Sequence, residues 1–377
     1  MMRVALVRGK YLNIFEGQNY IFEDCDIDLV GISSVRPIHT DFSFPIIKLP
    51  SPADIRGAEK IIKVVFNRTL GDSQILLGLE KYATQFDIFH TADPHYYYSY
   101  QLAKLRSEGK IKKLLVTSWE IIPFNNENLA AKKGIKHFIL KHADHFLCYT
   151  DLAKKCLMTE GVSSEKITVM KLGVDLKKFQ IPKFKLQTNS KFQKAKTLHI
   201  LFVGRLVEEK GVMDLYEAFK RVTCNVKRVT FKIVGEGPLK HNLLKKIKTD
   251  HLEHLVSIEK KSYKEMPKVY ENADLFILPS KRTKTWEEQY GMVLVEAMAS
   301  GLPIVAYDTG AIREIMDSAG VYIHEGDIGG LAFAIRHLMA DRAFAAKLGT
   351  MGRRRAESEF DSRKSAKKIE QLYESII

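Results

Sequence analysis

Short apolar runs alternate with amphipathic helical stretches along almost the whole chain, and few folds accept that alternation. Strand patterns read at residues 4–7, 29–32, 88–90, 114–118, 146–149 and 167–171. They resume at 198–203, 230–234, 256–259, 275–278, 304–307 and 321–324. Helical periodicity fills the gaps, for example at 97–107, 129–142, 152–159, 211–221, 239–248 and 293–299, and again at 360–377. Strands separated by helices pair in parallel, because a crossover that holds a helix returns the chain in the same direction. The periodicity lapses near 177–197, where Pro, Asn, Ser, Gln and Lys replace the apolar pattern. Two doubly wound α/β domains, divided near residue 180 and facing a central cleft, are expected.

Length and composition agree with that division. The 377 residues suffice for two domains at roughly 100–200 residues each. Hydrophobic residues at 45% and charged residues at 28% describe a globular chain and exclude a disordered one. No apolar run approaches the roughly 18 residues that a membrane-spanning helix needs. Arg3 and Arg8 interrupt the start before a signal-peptide core forms. Cys25, Cys148, Cys156 and Cys224 show neither CxxC pairing nor a zinc-like His spacing, as expected of reduced thiols in a cytosolic protein.

The net charge of +14 is regional: residues 101–250 carry 31 Lys/Arg against 14 Asp/Glu, while either side is near balance. Nucleic acid, an anionic membrane surface and a phosphate-bearing substrate each fit such an excess, as does solvated lysine on helix faces. Residues 132–142 mix basic and apolar side chains at helical spacing, the pattern of a membrane-surface helix or of an ordinary packed one.

Ligands of open α/β sheets sit at the carboxyl ends of strands, so the strand-to-helix turns carry the chemistry. In Val203-Gly204-Arg205-Leu206-Val207-Glu208-Glu209-Lys210-Gly211, Gly204 permits a sharp turn, while Arg205 and Lys210 set two cations near a helix start. A diphosphate suits such a group. In Val234-Gly235-Glu236-Gly237-Pro238, two glycines let the backbone approach a ring or a phosphate, or simply make a tight turn. The third turn runs from Leu278-Pro279-Ser280 into Trp286-Glu287-Glu288-Gln289-Tyr290-Gly291-Met292-Val293, and on to Glu296. Free amides at Gly291, Met292 and Val293 would make an anion site. Glu288 and Glu296, with seven residues between them, are expected to face one end of the cleft and to accept bonds from vicinal hydroxyls.

These turns, in this order and spacing across 198–315, resemble the retaining glycosyltransferases of family 4, which have the GT-B fold. Leu172-Gly173-Val174-Asp175 with Phe179 resembles the stretch that ends that family's first domain. The resemblance implies a Rossmann-like acceptor-side domain at 1–180, to which a terminal helix at 360–377 crosses back. It implies a Rossmann-like domain at 181–359 that binds a nucleotide sugar. By the resemblance Arg205 and Lys210 hold the donor diphosphate, Glu296 bonds the ribose, and Glu288 with the Gly291 and Met292 amides holds the sugar. Gly204, Gly235, Gly237, Tyr290 and Val293 complete the donor site. The first domain departs from the family. A single glycine, Gly9, stands where members carry a pair, and Ser118-Trp119-Glu120 stands where many carry a His. His90 and Asp93 are candidates for part of that role.

The activity so implied is transfer of a sugar from a UDP- or GDP-linked donor to a hydroxyl of a glycan or lipid-linked acceptor, with retention and without a metal or other cofactor. Peripheral attachment to the inner face of the membrane is expected with it. The acidic triplets in Asp24-Cys25-Asp26-Ile27-Asp28 precede a strand in the wrong domain for a metal site, and the histidines show no HExxH spacing. GxGxxG and GxxxxGK[ST] are both absent, against a dinucleotide reductase or an ATPase. A GT-B epimerase or phosphorylase, a silent sugar-nucleotide sensor and a basic nucleic-acid-binding protein are the rival readings. The last lacks any recognition-helix, RNP or zinc-finger signature.

Overall fold

A computed structural model describes residues 1–23, 26–55, 57, 59–179, 197–224 and 228–377. The described chain forms two compact units, Met1–Leu172 with Ser362–Ile377, and Gly173–Asp361. The read division near residue 180 and most of the 177–197 stretch lie outside the described residues, as do Asp24 and Cys25.

The first unit is built on β1 (Met2–Gly9), α1 (Ile14–Gly17), β2 (Ile27–Ser34), β3 (Ile46–Leu49), α2 (Glu59–Thr69), β4 (Ile88–Ala92), α3 (Tyr97–Ser107), β5 (Lys113–Ser118), α4 (Ala130–His142), β6 (His145–Cys148), α5 (Asp151–Thr159) and β7 (Ile167–Val169). Its seven strands are all parallel, in the order β3-β2-β1-β4-β5-β6-β7. The inner strands are buried on both faces, which is why they read as continuous Val, Ile, Leu and Phe rather than as an alternation.

The second unit holds β8 (Leu198–Val203), α6 (Val212–Thr223), β9 (Val229–Val234), α7 (Lys240–Thr249), β10 (Val256–Glu259), α8 (Met266–Glu271), β11 (Leu275–Leu278), α9 (Met292–Ala299), β12 (Ile304–Tyr307), α10 (Ile312–Met316), β13 (Val321–Ile323), α11 (Ile328–Ala340) and α12 (Arg342–Glu359). Six parallel strands run β10-β9-β8-β11-β12-β13. Helix α6 shows how the sequence sets the packing: Val212, Leu215, Tyr216, Phe219 and Val222 recur at helical spacing and are all buried.

The terminal helix α13 (Ser362–Ile376) belongs to the first unit. Its buried stripe of Ala366, Ile369, Leu372 and Tyr373 seats it there, and the Tyr373 hydroxyl lies 2.7 Å from His90 Nδ1 of β4. Helix α4 is a packed helix: Ile135 and Ile139 are buried, and Phe138 meets Tyr100 edge-on. Even Lys136 is internal, 2.5 Å from Glu160. The membrane-surface reading of 132–142 is therefore corrected. Asp28, from the acidic triplets, pairs with Arg3 at 3.0 Å.

Loops of the second unit are pressed onto its strands. Gly211 has φ +65°, and a Cβ there would lie 1.8 Å from the Pro279 carbonyl oxygen. Gly211→Ala is expected to destabilise the second unit by about 3 kcal/mol or more, adding left-handed strain to overpacking. Urea unfolding measures it; a loss below about 1 kcal/mol would contradict this packing.

Candidate active site

In each sheet the strand order reverses once, between β1 and β4 and between β8 and β11, the position at which open parallel sheets bind ligands beyond the carboxyl ends of their strands. In the second unit β8 runs out into Gly204, and β11 runs out into Pro279 and Ser280. The glycines of these turns make room for protein backbone. A Cβ on Gly235 would lie 1.9 Å from the Gly204 carbonyl oxygen, and one on Gly237 would lie 2.4 Å from that of Leu206. Leu206 N–H donates to Glu236 O at 2.9 Å, and Leu239 N–H donates to Leu206 O at 3.0 Å. The two turns thus lock together, so the approach that Gly235 and Gly237 permit is first of all to their neighbour.

Lys210 and Glu288 meet beside this lock. The ammonium stands 2.6 Å from Glu288 Oε2 and 4.6 Å from the centre of the Trp286 ring. Ser280 Oγ donates to the same carboxylate oxygen at 2.7 Å, and the Glu288 carbonyl accepts from Ala311 N–H at 2.8 Å. Both side chains of the pair are largely shielded from water. Arg205 is exposed, leaning on Glu209 at 3.2 Å. The sequence spoke for separate partners of Lys210 and Glu288; it did not reveal that they are partners of each other. Ser280, two residues beyond a strand, and Trp286, one of two tryptophans in the chain, were the available signals.

Helix α9 begins just beyond. Gly291 takes φ +82° at its N-cap, and no side chain caps the helix. The amides of Met292 and Val293 at the first turn therefore point out of the helix start with its partial positive charge. The Tyr290 ring is buried against Phe360, so it packs rather than lines the site. Glu296, a turn further on, is buried and accepts from the Tyr270 hydroxyl at 2.7 Å. Glu288 and Glu296 are thus held by different partners. Burial pushes the Glu296 carboxyl up to about 7, against the bonds from Tyr270 and Tyr263.

The first unit's reversal point gathers other residues. Gly9 ends β1 with φ +51°, and Asp93 follows β4. Asp93 Oδ1 accepts from Trp119 N–H at 2.8 Å. Burial, reinforced by the negative charges of Glu120 and Glu16, pushes its carboxyl up to about 7. His90 is corrected: it is wholly buried, with Nδ1 on the Tyr373 hydroxyl and Nε2 on the Thr117 hydroxyl, both at 2.7 Å. No ring nitrogen remains for a sugar. Burial and the nearby Arg8 guanidinium hold it neutral, well below the usual imidazole range. Glu120 organises its loop, accepting from the Ile121 and Ile122 amides at 3.0 Å and from Asn125 at 2.8 Å. Beneath lies a pair that sequence reasoning missed, Arg8 with Glu16 at 2.8 Å, both buried.

Glu296 gives a pH-dependent stability. The folded carboxyl titrates near 7 and the unfolded one near 4.5, so the native state binds the extra proton. Stability is full below about 4.5 and falls as pH rises through 7. Glu296→Gln removes this loss, so relative to wild type it should gain on the order of 3 kcal/mol between pH 4.5 and 8. Urea midpoints across that range measure the gain, and a constant difference would contradict it.

Comparison with known proteins bears on the same turns. Residues 184–355 match the family model described as glycosyl transferases group 1. The Staphylococcus aureus capsular polysaccharide biosynthesis glycosyltransferase CapM is 26% identical over 270 residues, covering 66% of this chain and 68% of CapM. The Escherichia coli putative colanic acid biosynthesis glycosyltransferase WcaL is 29% identical over 240 residues, covering 61% and 56%. A Mycobacterium tuberculosis glycogen synthase is 27% identical over 253 residues, covering 64% and 56%. The chain thus spans 56–68% of the length of these relatives. Among solved structures, Anabaena HepE in complex with UDP superposes with a TM-score of 0.76 at 17% identity, covering all of both chains. The Thermosynechococcus elongatus sucrose-phosphate synthase superposes at 0.72 and 18% identity, covering 100% and 99%. Residues 184–355 are thus similar to the glycosyl transferases group 1, and the chain has the GT-B fold.

Proposed function

We propose that the chain is a retaining glycosyltransferase that moves a sugar from a UDP- or GDP-linked donor to a hydroxyl of a glycan or lipid-linked acceptor, without a metal. One observation carries this reading: the uncapped start of α9 at the second reversal point, with Lys210 beside it. As the anomeric C–O bond breaks, negative charge grows on the departing diphosphate. The Met292 and Val293 amides, Lys210 and Arg205 are the groups that meet it. The acceptor oxygen bonds to the anomeric carbon on the face the diphosphate leaves, and its proton passes to a leaving phosphate oxygen. Glu288 holds the donor sugar, and Glu296 with its tyrosines holds the ribose. Asp93, poised near neutrality, orients the acceptor hydroxyl.

Relatives support the setting. CapM is named for capsular polysaccharide biosynthesis and WcaL, putatively, for colanic acid. HepE has been crystallised with UDP and with UDP-glucose. Cell-envelope or capsular glycan synthesis at the cytoplasmic side of the membrane follows as the proposed role.

Removing one member of a buried ion pair strands the other, so truncation to Ala confuses catalysis with folding. Glu288→Gln keeps the bonds to Lys210 and Ser280 while removing the charge. It should lower kcat for turnover of the cognate sugar nucleotide by about 100-fold or more with the fold intact by circular dichroism. Near-normal turnover would refute the role of Glu288. The cognate donor is found by screening UDP- and GDP-sugars for thermal stabilisation of the wild-type chain. Chelator should leave its rate unchanged, and full loss would restore a metal mechanism.

A further inference from the structure

The reversal point of the first sheet is built differently from that of the second. Beyond β1 and β4, three tyrosines form a row that runs from solvent into the core. Tyr11, on the turn after Gly9, is 39% exposed. Its ring centre lies 5.1 Å from that of Tyr96, with the planes 31° apart, and the two hydroxyls share a hydrogen bond. Tyr96 in turn stacks on Tyr98 at 5.3 Å, and Tyr98 is wholly buried. Gly9 leaves the space for this row, since a Cβ there would lie 2.8 Å from the Tyr98 ring. An outer ring backed by two more is a rigid apolar plate, with little side-chain freedom left to lose on binding.

Polar groups near the plate lack partners. Asp93 is half-buried, and of its carboxylate oxygens only Oδ1 is bonded among the described residues, by Trp119 N–H. The Tyr98 hydroxyl and Ser118 Oγ are buried with no partner among the described residues. Burial, with the charges of Asp93 and Asp72 nearby, keeps the Tyr96 and Tyr98 hydroxyls protonated, well above the usual phenol range. Buried polar groups without a partner are rare in a folded chain, and each calls for an explanation. Together these offer hydroxyl donors and a carboxylate acceptor, the complement of hydroxyls on a ring.

Charge narrows the ligand further. Helix α3 starts here, but Tyr97 N–H donates to Asp72 Oδ2 and Tyr98 N–H to Gln74 O, both at 3.0 Å. Its first amides are thus engaged, whereas no side chain caps α9 in the second unit. Arg8 is held by Glu16, and Lys136 by Glu160. Lys10 is the one cation on the turn between Gly9 and Asn13, and the Asp72 and Asp93 carboxylates act on the same tyrosines. This is a poor place for a phosphate and a suitable one for a neutral sugar. The C–H face of a pyranose lies against an aromatic ring while its rim of hydroxyls meets the polar groups.

We propose that the acceptor presents an uncharged pyranose ring, which packs on Tyr11 and Tyr96 and directs a hydroxyl to Asp93. This deepens the proposed function and rests on it for the ligand's role as acceptor. It selects a glycoside end over a phosphate-bearing headgroup.

Saturation-transfer NMR on the whole chain tests it. The probes are the methyl pyranosides of glucose, galactose, mannose and N-acetylglucosamine, with glycerol 3-phosphate as the anionic counterpart. At least one glycoside should draw saturation at its ring protons, and glycerol 3-phosphate should draw none. Tyr11→Ala should cut the glycoside signal about fivefold or more, whereas Tyr11→Phe, which keeps the ring, should hold most of it. Circular dichroism checks that the variants fold, and Tyr11→Leu gives the same comparison should the alanine variant not. No saturation of any glycoside, an equal signal after loss of the ring, or saturation of glycerol 3-phosphate that Tyr11→Ala abolishes would overturn the proposal. Thermal stabilisation by UDP-glucose and GDP-mannose is read on the same samples. Stabilisation without glycoside binding would count against the acceptor class alone, and glycoside binding without stabilisation would count against the donor reading alone.

Discussion

Lys210 and Glu288 hold each other at 2.6 Å where little water reaches, and the second unit's site is arranged around that contact. A buried pair of this kind contributes little net stability, because desolvation offsets attraction, yet breaking it costs about 3–5 kcal/mol. It therefore fixes positions rather than strengthening the fold. Glu288 is further held by Ser280 at the end of β11 and, through its backbone, by Ala311. Lys210 is kept in place at the end of the β8 turn, with Gly211 wedged against Pro279. The ammonium already has a counter-charge, so in the proposed reading an incoming diphosphate would compete for it, while the uncapped α9 start offers donors that have no such rival. Under the proposed function, this division of labour would let the site bind a dianion without carrying a bare buried cation beforehand.

The first unit uses the same device for another end. Arg8 and Glu16 are buried together, and Arg8 Nη1 also donates to the His90 carbonyl at 3.0 Å. His90 in turn joins the sheet to α13 through Tyr373. The chain end is thus stitched to β4 by a polar contact within an apolar seat. Asp93 sits one step beyond this stitched strand, where burial and neighbouring carboxylates keep its proton affinity high. A group near neutrality costs little to protonate or deprotonate, which suits it to a reacting hydroxyl.

Much of the fold was legible because parallel strands buried on both faces leave an unbroken apolar signature. The strands 198–203, 256–259, 275–278 and 304–307 and the helix 97–107 appear with the bounds their patterns suggest. β3 was not: its four residues stand between Pro45 and Pro50 at a sheet edge, where a strand needs only half its bonds and reads as loop. At the site, residue types were legible and pairings were not. Lys210 finds Glu288 across 78 positions and His90 finds Tyr373 across 283, distances over which no local pattern speaks. The glycines of the two turns announced a close approach correctly, but the approaching group is backbone, which spacing alone cannot distinguish from a ligand. Helix 132–142 shows the same ambiguity, since basic and apolar residues at helical spacing describe a buried helix as well as a membrane-bound one.

A crystal structure of the chain soaked with UDP-glucose, or with whichever sugar nucleotide stabilises it, tests the central claim most directly. Diphosphate oxygens are expected within about 3.2 Å of the Met292 or Val293 amide and of Lys210 Nζ, with the carboxylate of Glu288 turned to the sugar. A diphosphate seated elsewhere, with the Lys210–Glu288 contact undisturbed and the α9 amides unengaged, would contradict it.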